Sequence, residues 1–545
     1  MLDFERDLHS EARTVLEASH QPQNPFEVAV VLESGGYDQS AARRLGSPDV
    51  FDLARRVFEV IDLYSPSPAE LRRHASRPHQ SALSPAPPGS AGAVRAGADQ
   101  DRITARLLAR CVFYSLPWLL AVIALAVSRV SFWSTITTVQ FSSAISLALF
   151  VSLILTGAVI QAFARRGTFY ALQGNRALLA WTTRWTLGGG VAAVVIVFVG
   201  MYFGLEYGLA AYTPDANRSF LWFGLSISAL LLSLAPLYMA RAFGLVTLAA
   251  GSGALFVIVA GKAITHGNYI DPFVAMHVQL VAIWIVVVLA GAADWFVLRR
   301  FTVPTGAVAH DRVRPPHLGA AARSVAGYAA YGACFFLLII ADHLVVGGLW
   351  HGHFVYDGHY ELAVGVGLLV LIPTLTYVAS VSEIFPGVVR SCLTRYSVSR
   401  ADEMRRDMRA FYAGHLRTLG AVGLGAAGVL LVAGAAFATA SSITAGLAGV
   451  YGIFAGALAS YLLLSVGVLN AGLLFSLSRP AAPALAAVAG TVVSLVVGGI
   501  LGARWSIEGG ALIGLLAGTA LFAGLTTAVT TRAFRRFDAT YYRAF

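Results

Sequence analysis

Leu338-Ile339-Ile340-Ala341-Asp342-His343-Leu344-Val345-Val346 lies inside an apolar run, residues 324–349, that is long enough to cross a bilayer. A hydrocarbon core takes about 20 apolar residues of helix. A carboxylate placed within such a run costs about 2.5–3.5 kcal/mol on insertion scales, so something must hold it there. The run therefore reads as a transmembrane helix with a functional or interhelical contact at Asp342 and His343.

Eleven further runs of this kind accompany it. They lie near residues 108–128, 134–163, 185–208, 219–240, 244–263 and 272–298 in the first half, and near 361–386, 418–440, 446–477, 481–503 and 509–531 in the second. The fourth and fifth are joined by almost nothing, which makes that pair the point where the count is most open. The composition agrees: the chain of 545 residues is 57% hydrophobic and 12% charged, against about one-quarter charged in a soluble domain. An ordinary soluble enzyme and a disordered regulator are excluded. Three scattered cysteines, Cys111, Cys334 and Cys392, exclude a disulfide scaffold. The expected fold class is an all-α polytopic membrane protein with twelve transmembrane helices in two six-helix lobes, residues 102–323 and 324–545. Six plus six helices, each set with a long arginine-rich connection after its second member (164–184 and 387–417), suggests an internal repeat.

Residues 1–107 have soluble composition, with 15 acidic and 12 basic side chains; residues 108–545 carry 14 and 27. Residues 1–76 read as a small α-helical cytoplasmic module. Phe26–Leu32 is apolar and stops at Gly35-Gly36. Ser47 is expected as an N-cap with Pro48 in the first turn, before a helix that sets Val50, Leu53, Val57 and Val60 at helical spacing. Residues 77–101, rich in Pro, Ala, Ser and Gly, read as a flexible linker. No signal peptide precedes the module. The module is either a docking platform for a partner or a passive extension.

The arginines set the orientation. With the N-terminus in the cytoplasm, the inward connections and the C-terminal tail hold 22 basic residues, from Arg165, Arg166 and Arg241 to Arg479 and Arg543. The outward side holds four: Arg129, Arg218, Lys262 and Arg504. Both termini are expected in the cytoplasm of a bacterial inner membrane. The basic balance is thus topological, and no nucleic acid is called for.

Polar groups at membrane depth are the candidate transport or cavity residues: Asp342, His343, Glu383, Gln140, Gln161 and Asn470. Asp342 and His343 could line a hydrated cavity, contact a sugar or relay a proton. Successive helical residues are about 100° apart, so Asp342 is expected to face the cleft between lobes and His343 its flank. Glu383 is expected to pair with Arg390, seven residues on, or with an arginine of another helix. Asp294, beside Arg299 and Arg300, and His277 read as interfacial or structural. Pro117, Pro236 and Pro373 are candidate kinks or gates. His351, His353 and His359 share a short outer connection without a further ligand cluster, so no metal is expected. No Walker A loop and no nucleophile–base motif occurs. Neither a cofactor nor an enzymatic activity is expected.

Five places resemble the PelG family of Pel-polysaccharide exporters, within the multidrug/oligosaccharidyl-lipid/polysaccharide (MOP) superfamily. Ser115-Leu116-Pro117-Trp118 is similar to a Ser-Gly-Pro-Trp of the first span. Leu155-Thr156-Gly157 to Phe163-Ala164-Arg165 resembles the end of the second. Ala341-Asp342-His343 resembles an Asp-Lys of the seventh, with histidine for lysine. Ile372-Pro373 followed by Ser382-Glu383-Ile384-Phe385, and then Phe411-Tyr412, resembles the eighth-span region. Phe537-Asp538, Tyr541-Tyr542 and Phe545 resemble an aromatic tail. The resemblance covers residues 108–545 and implies a glycan or lipid-linked glycan as cargo and alternating access between the lobes. It also implies a cytoplasmic glycosyltransferase and further membrane subunits of a synthase complex as partners. A lipid-linked oligosaccharide flippase and a non-transporting synthase scaffold are the competing readings.

Overall fold

The computed structural model describes Ala12, Val15, residues 25–34, Tyr37, 39–64, Phe113, 115–128, 130–131, 138–173, 176–264, 271–302, 318–348, 353–396, 400–440 and 447–537. The chain divides into two compact units, Met1–Gly97 and Ala98–Phe545.

The first unit contains α1 (Pro25–Ser34), α2 (Gln39–Arg44) and α3 (Val50–Tyr64). Their apolar faces make a small core of Val28, Leu32, Ala42, Leu53, Val57 and Ile61. The N-cap of α3 is Asp49, whose Oδ1 accepts the Asp52 N–H at 2.8 Å, and not Ser47. A carboxylate directly after Pro48 satisfies a free N–H and also suits the positive end of the helix dipole. The linker 77–101 lies outside the described residues.

In the second unit, eleven helices among the described residues are long and apolar enough to cross a membrane, and a shorter apolar helix precedes them. They are α4 (Ser115–Ser128), α5 (Val139–Leu172), α6 (Ala177–Leu209), α7 (Pro214–Met239), α8 (Phe243–Ile264) and α9 (Pro272–Thr302), then α10 (Leu318–Gly348), α11 (Gly358–Cys392), α12 (Ala401–Ala440), α13 (Leu447–Ser476), α14 (Ala481–Arg504) and α15 (Ile507–Arg535). The protein is an all-α, multi-pass membrane protein. The near-contiguous α7 and α8 are two helices. They part at a turn where Arg241 takes a left-handed φ of 56° and Ala242 N–H reaches back to Leu237 O at 2.9 Å. That wrap satisfies carbonyls the helix end leaves open.

Each lobe has its own core. One gathers Ala121, Ile145, Phe198, Phe220, Phe223 and Ile283 from the first six spans; the other gathers Leu338, Tyr360, Leu458, Tyr461, Leu515 and Phe522 from the last six. The second lobe has a further one around Phe385, Met408, Leu473 and Phe534. Corresponding helices play corresponding parts. The third span of each lobe, α6 or α12, lies at the periphery, with 17% of its most apolar window buried, while the fourth, α7 or α13, is the most buried of its lobe at 67% and 56%.

The lobes meet along two seams. In the first, α5 runs antiparallel to α10. Gly157 and Gly332 cross so closely that a Cβ on Gly332 would stand 2.2 Å from the Gly157 carbonyl oxygen. Farther along, Phe150 packs on His343 with ring centroids 5.3 Å apart, and Arg165 lies over the Tyr328 ring at 5.3 Å. In the second, Ser115 of α4 bonds Thr376 and the Ile372 carbonyl of α11. Exchanging the halves turns a contact of spans one and eight into one of spans seven and two, and both are present.

Candidate functional site

A cluster of buried polar side chains occupies the arginine-poor end of the second lobe. Asp342 is fully buried, and its Oδ2 accepts from the Tyr360 hydroxyl at 2.8 Å. Tyr461 of α13 is also fully buried, and its hydroxyl has no hydrogen-bond partner among the described residues. The neighbouring His343 points the other way round the helix. Its Nδ1 lies 2.8 Å from Glu361 Oε1, its Nε2 3.9 Å from Asp342 Oδ1, and one side of its ring packs on Phe150 of the first lobe. Burying two carboxyls and an imidazole apart would cost several kcal/mol each; held together they share one proton economy. Asp342 Oδ1 has no hydrogen-bond partner among the described residues.

Local structure fixes the cluster. Asp357 caps α11, its Oδ1 accepting from the His359 and Tyr360 N–H groups at 3.0 and 3.1 Å, and this sets Tyr360 and Glu361 in the first turn. The segment before it is tied to the first lobe: Tyr356 N–H donates to Ser143 Oγ at 2.8 Å, and the Tyr212 hydroxyl donates to the Phe354 carbonyl. Burial, with the carboxylates of Glu361 and Asp357 nearby, pushes the Tyr356 hydroxyl up to about 12, so it remains protonated at any physiological pH.

The orientation of the pair thus departs from expectation. Asp342 turns into its own lobe, where Tyr360 supplies a donor, and His343 faces the seam. Of the two partners expected for Glu383, the structure gives the arginine of another helix: Arg241 of the opposite lobe, Nε to Oε1 3.9 Å. Gln161 is half-buried, and its Cγ lies at the Gly157–Gly332 crossing. Gln140 is exposed in the first turn of α5. Asn470 is buried in a bond network inside the second lobe, accepting from the Tyr412 hydroxyl at 2.8 Å and donating to Thr527 Oγ1 at 2.9 Å. His277 bonds the carbonyl of Phe273 in its own helix at 2.6 Å. Asp294 lies in α9, and the side chains of Arg299 and Arg300 lie outside the described residues, as does His351.

The prolines behave unequally. Pro236 falls in the last turn of α7, and Pro117 lies in α4, whose beginning is outside the described residues. Pro373 follows a 3₁₀ turn, Leu368–Val370, where the missing N–H and the ring's clash with the carbonyl four residues earlier loosen α11. The helix continues through Pro386 to Cys392, past the expected end at 386, because membrane helices tolerate proline.

Sequence reasoning missed Tyr360, Glu361 and Tyr461. Glu361 was visible as a carboxylate at the mouth of an apolar run just after a capping aspartate. Nothing local marks Tyr461. Buried Gln279 of α9, donating to the Ser131 carbonyl at 2.6 Å, was missed as well. Among the described residues no group of three or more His, Cys, Asp or Glu could hold a metal.

No protein-family model and no curated protein matches the sequence. Solved structures do match the fold. A MATE protein crystallised in the straight conformation aligns with a TM-score of 0.57 at 12% identity, over 81% of this chain and 96% of its own. A MOP superfamily transporter from Pyrococcus furiosus aligns with 0.56 at 12% identity, over 79% and 97%. The eukaryotic MATE transporter AtDTX14 aligns with 0.52 at 14% identity, over 83% and 99%. The second unit therefore has the fold of the MATE transporters of the MOP superfamily.

Proposed function

We propose that the protein is an inner-membrane exporter that moves a glycan outward by alternating access between its two lobes, supplied by a cytoplasmic glycosyltransferase. The observation that carries this reading is where the PelG-like motifs fall. The first-span Ser115 bonds the eighth-span Ile372 carbonyl. The second-span Gly157 abuts Gly332 and Phe336 of the seventh. Glu383 reaches Arg241 of the opposite lobe. These residues sit on the seams at which two lobes must rock, which is where a transporter of this fold would show family-specific side chains. The Asp342–His343–Glu361 cluster, against Phe150 of the first lobe, supplies a titratable element beside the same seam, suited to coupling export to proton movement.

The test measures glycan inside and outside cells that carry or lack the protein. Export requires glycan to accumulate inside, or precursor to build up, when it is absent. Loss of glycan both inside and outside, with no precursor built up, would favour the scaffold reading. A lipid-linked precursor trapped on the inner leaflet would favour a flippase.

A further inference from the structure

At the arginine-rich end of the bundle, a cavity of about 350 Å³ opens between the two lobes. Arg165, Arg166 and Tyr170 of α5 line it from one side, and Ser324 and Tyr328 of α10 with Ser478 of the α13–α14 turn line it from the other. Rim arginines that serve topology alone are solvated and loose. These two are held in place. Arg165 donates to Ser478 Oγ at 3.0 Å and lies over the Tyr328 ring. Arg166 lies 5.9 and 5.8 Å from the ring centroids of Tyr170 and Trp181. Among the described residues, the ion pairs of the chain include neither guanidinium. A second observation points to a ligand: Tyr328 is 5% exposed, and its hydroxyl has no hydrogen-bond partner among the described residues.

Two adjacent cations, a buried unmatched hydroxyl and the Ser478 hydroxyl suit a tetrahedral oxyanion with several acceptor oxygens, while Ser324 gives its proton to the Ala321 carbonyl at 2.8 Å. Guanidinium forks match phosphate geometry, and the aromatic walls suit the apolar or sugar portion attached to it. The volume is at the small end of ligand sites. We infer that this inter-lobe cavity binds a phosphoryl group, as a phosphate ester or pyrophosphate. Because both lobes contribute, the occupied cavity ties them together at this end, and binding favours the arrangement in which they touch there. The inference stands independently of the cargo reading, since the group can belong to a membrane phospholipid or to a phosphorylated solute or cargo.

The experiment uses the full chain purified in neutral detergent. It measures binding and thermal unfolding with inorganic pyrophosphate and with a short-chain phosphatidylglycerol. Phosphatidylcholine and glucuronate are the comparators. At least one phosphoryl probe should bind and raise the unfolding midpoint. Binding of phosphatidylglycerol alone assigns the site to a lipid headgroup; binding of pyrophosphate assigns it to a soluble or cargo phosphate. Arg165→Gln with Arg166→Gln should weaken binding about tenfold or more, the loss of charge-assisted bonds. Tyr328→Phe, which removes one oxygen and carries the same comparison should the double variant fail to accumulate, should weaken it a few-fold. Arg532→Gln with Arg535→Gln removes the same charge from α15, outside the cavity, and should leave binding unchanged. Absence of binding by both probes, equal weakening in the two double variants, unchanged binding by Tyr328→Phe, or glucuronate binding as tightly as pyrophosphate would each overturn the assignment.

Discussion

Arg241 and Ser478 occupy equivalent places in the two halves of the bundle. Each follows the fourth span of its lobe, each has a left-handed φ, 56° and 55°, and in each case the next N–H reaches back five residues at 2.9 Å. Each also touches the second span of the opposite lobe: Arg241 meets Glu383 of α11, and Ser478 accepts from Arg165 of α5. A six-span shift maps one contact onto the other, which is the firmest structural sign of the internal repeat.

Arg241 is a non-glycine residue in a conformation that glycine adopts freely, so Arg241→Gly should relieve about 1 kcal/mol of strain. The half-exposed pair with Glu383, at 3.9 Å, is worth about 0–1 kcal/mol. The two nearly cancel, and thermal unfolding in detergent should move little. Arg241→Pro cannot adopt a positive φ and should destabilise the fold by more than about 1 kcal/mol. A large loss from Arg241→Gly would show that the ion pair, not the turn, holds this end of the lobes.

The Gly157–Gly332 crossing has no room for a methyl group. Gly332→Ala would place Cβ 2.2 Å from the Gly157 oxygen and 2.8 Å from Gln161 Cγ, forcing α5 and α10 apart at a cost of about 1–3 kcal/mol. Gly425→Ala in α12 meets nothing within 4 Å and should instead stabilise by up to about 1 kcal/mol through helix propensity. Opposite signs in the two unfolding midpoints are the expected result; equal effects would mean that the seam yields freely.

The spans were legible because each is an apolar run of bilayer length, and the short turn at Arg241 was legible as a doubtful boundary. Less local facts were not. Spacing offered Arg390 on the same helical face as Glu383 and left an arginine of another helix open, but it could not single out Arg241, which lies in the other lobe and is presented by a turn whose left-handed residue no periodicity reveals. Asp342 stood out as a charge in a span. Its direction depended on Tyr360, whose polar tip ends an apolar ring and leaves no trace in a hydropathy pattern. Glu361 escaped because a carboxylate in a first helical turn is commonplace.

Topology follows from the arginine split and is open to direct measurement. Reporter fusions at Ala93 and after Phe545 should be active on the cytoplasmic side, and one at Asp357, the N-cap of α11, on the outer side. A C-terminal fusion that reports outside would contradict the even span count.

Charge and hydrogen bonding at Asp342 can be separated. Asp342→Asn keeps an oxygen to accept from Tyr360, which donates at 2.8 Å, so the fold should change by less than about 1 kcal/mol. Tyr360→Phe leaves the buried carboxyl without that donor and should cost about 1–3 kcal/mol. If the cluster couples export to protons, Asp342→Asn should nevertheless abolish secretion of glycan, because a neutral amide can neither take up nor release a proton. His343→Lys should be tolerated, since an ammonium group can still reach Glu361, 2.8 Å from the imidazole, while Glu361→Gln should impair export by leaving the buried His343 without its nearer carboxylate. Unfolding midpoints and glycan in the medium, measured on the same four variants, read the two effects apart. Full secretion by a stable Asp342→Asn protein would reduce the cluster to a structural contact between α10 and α11.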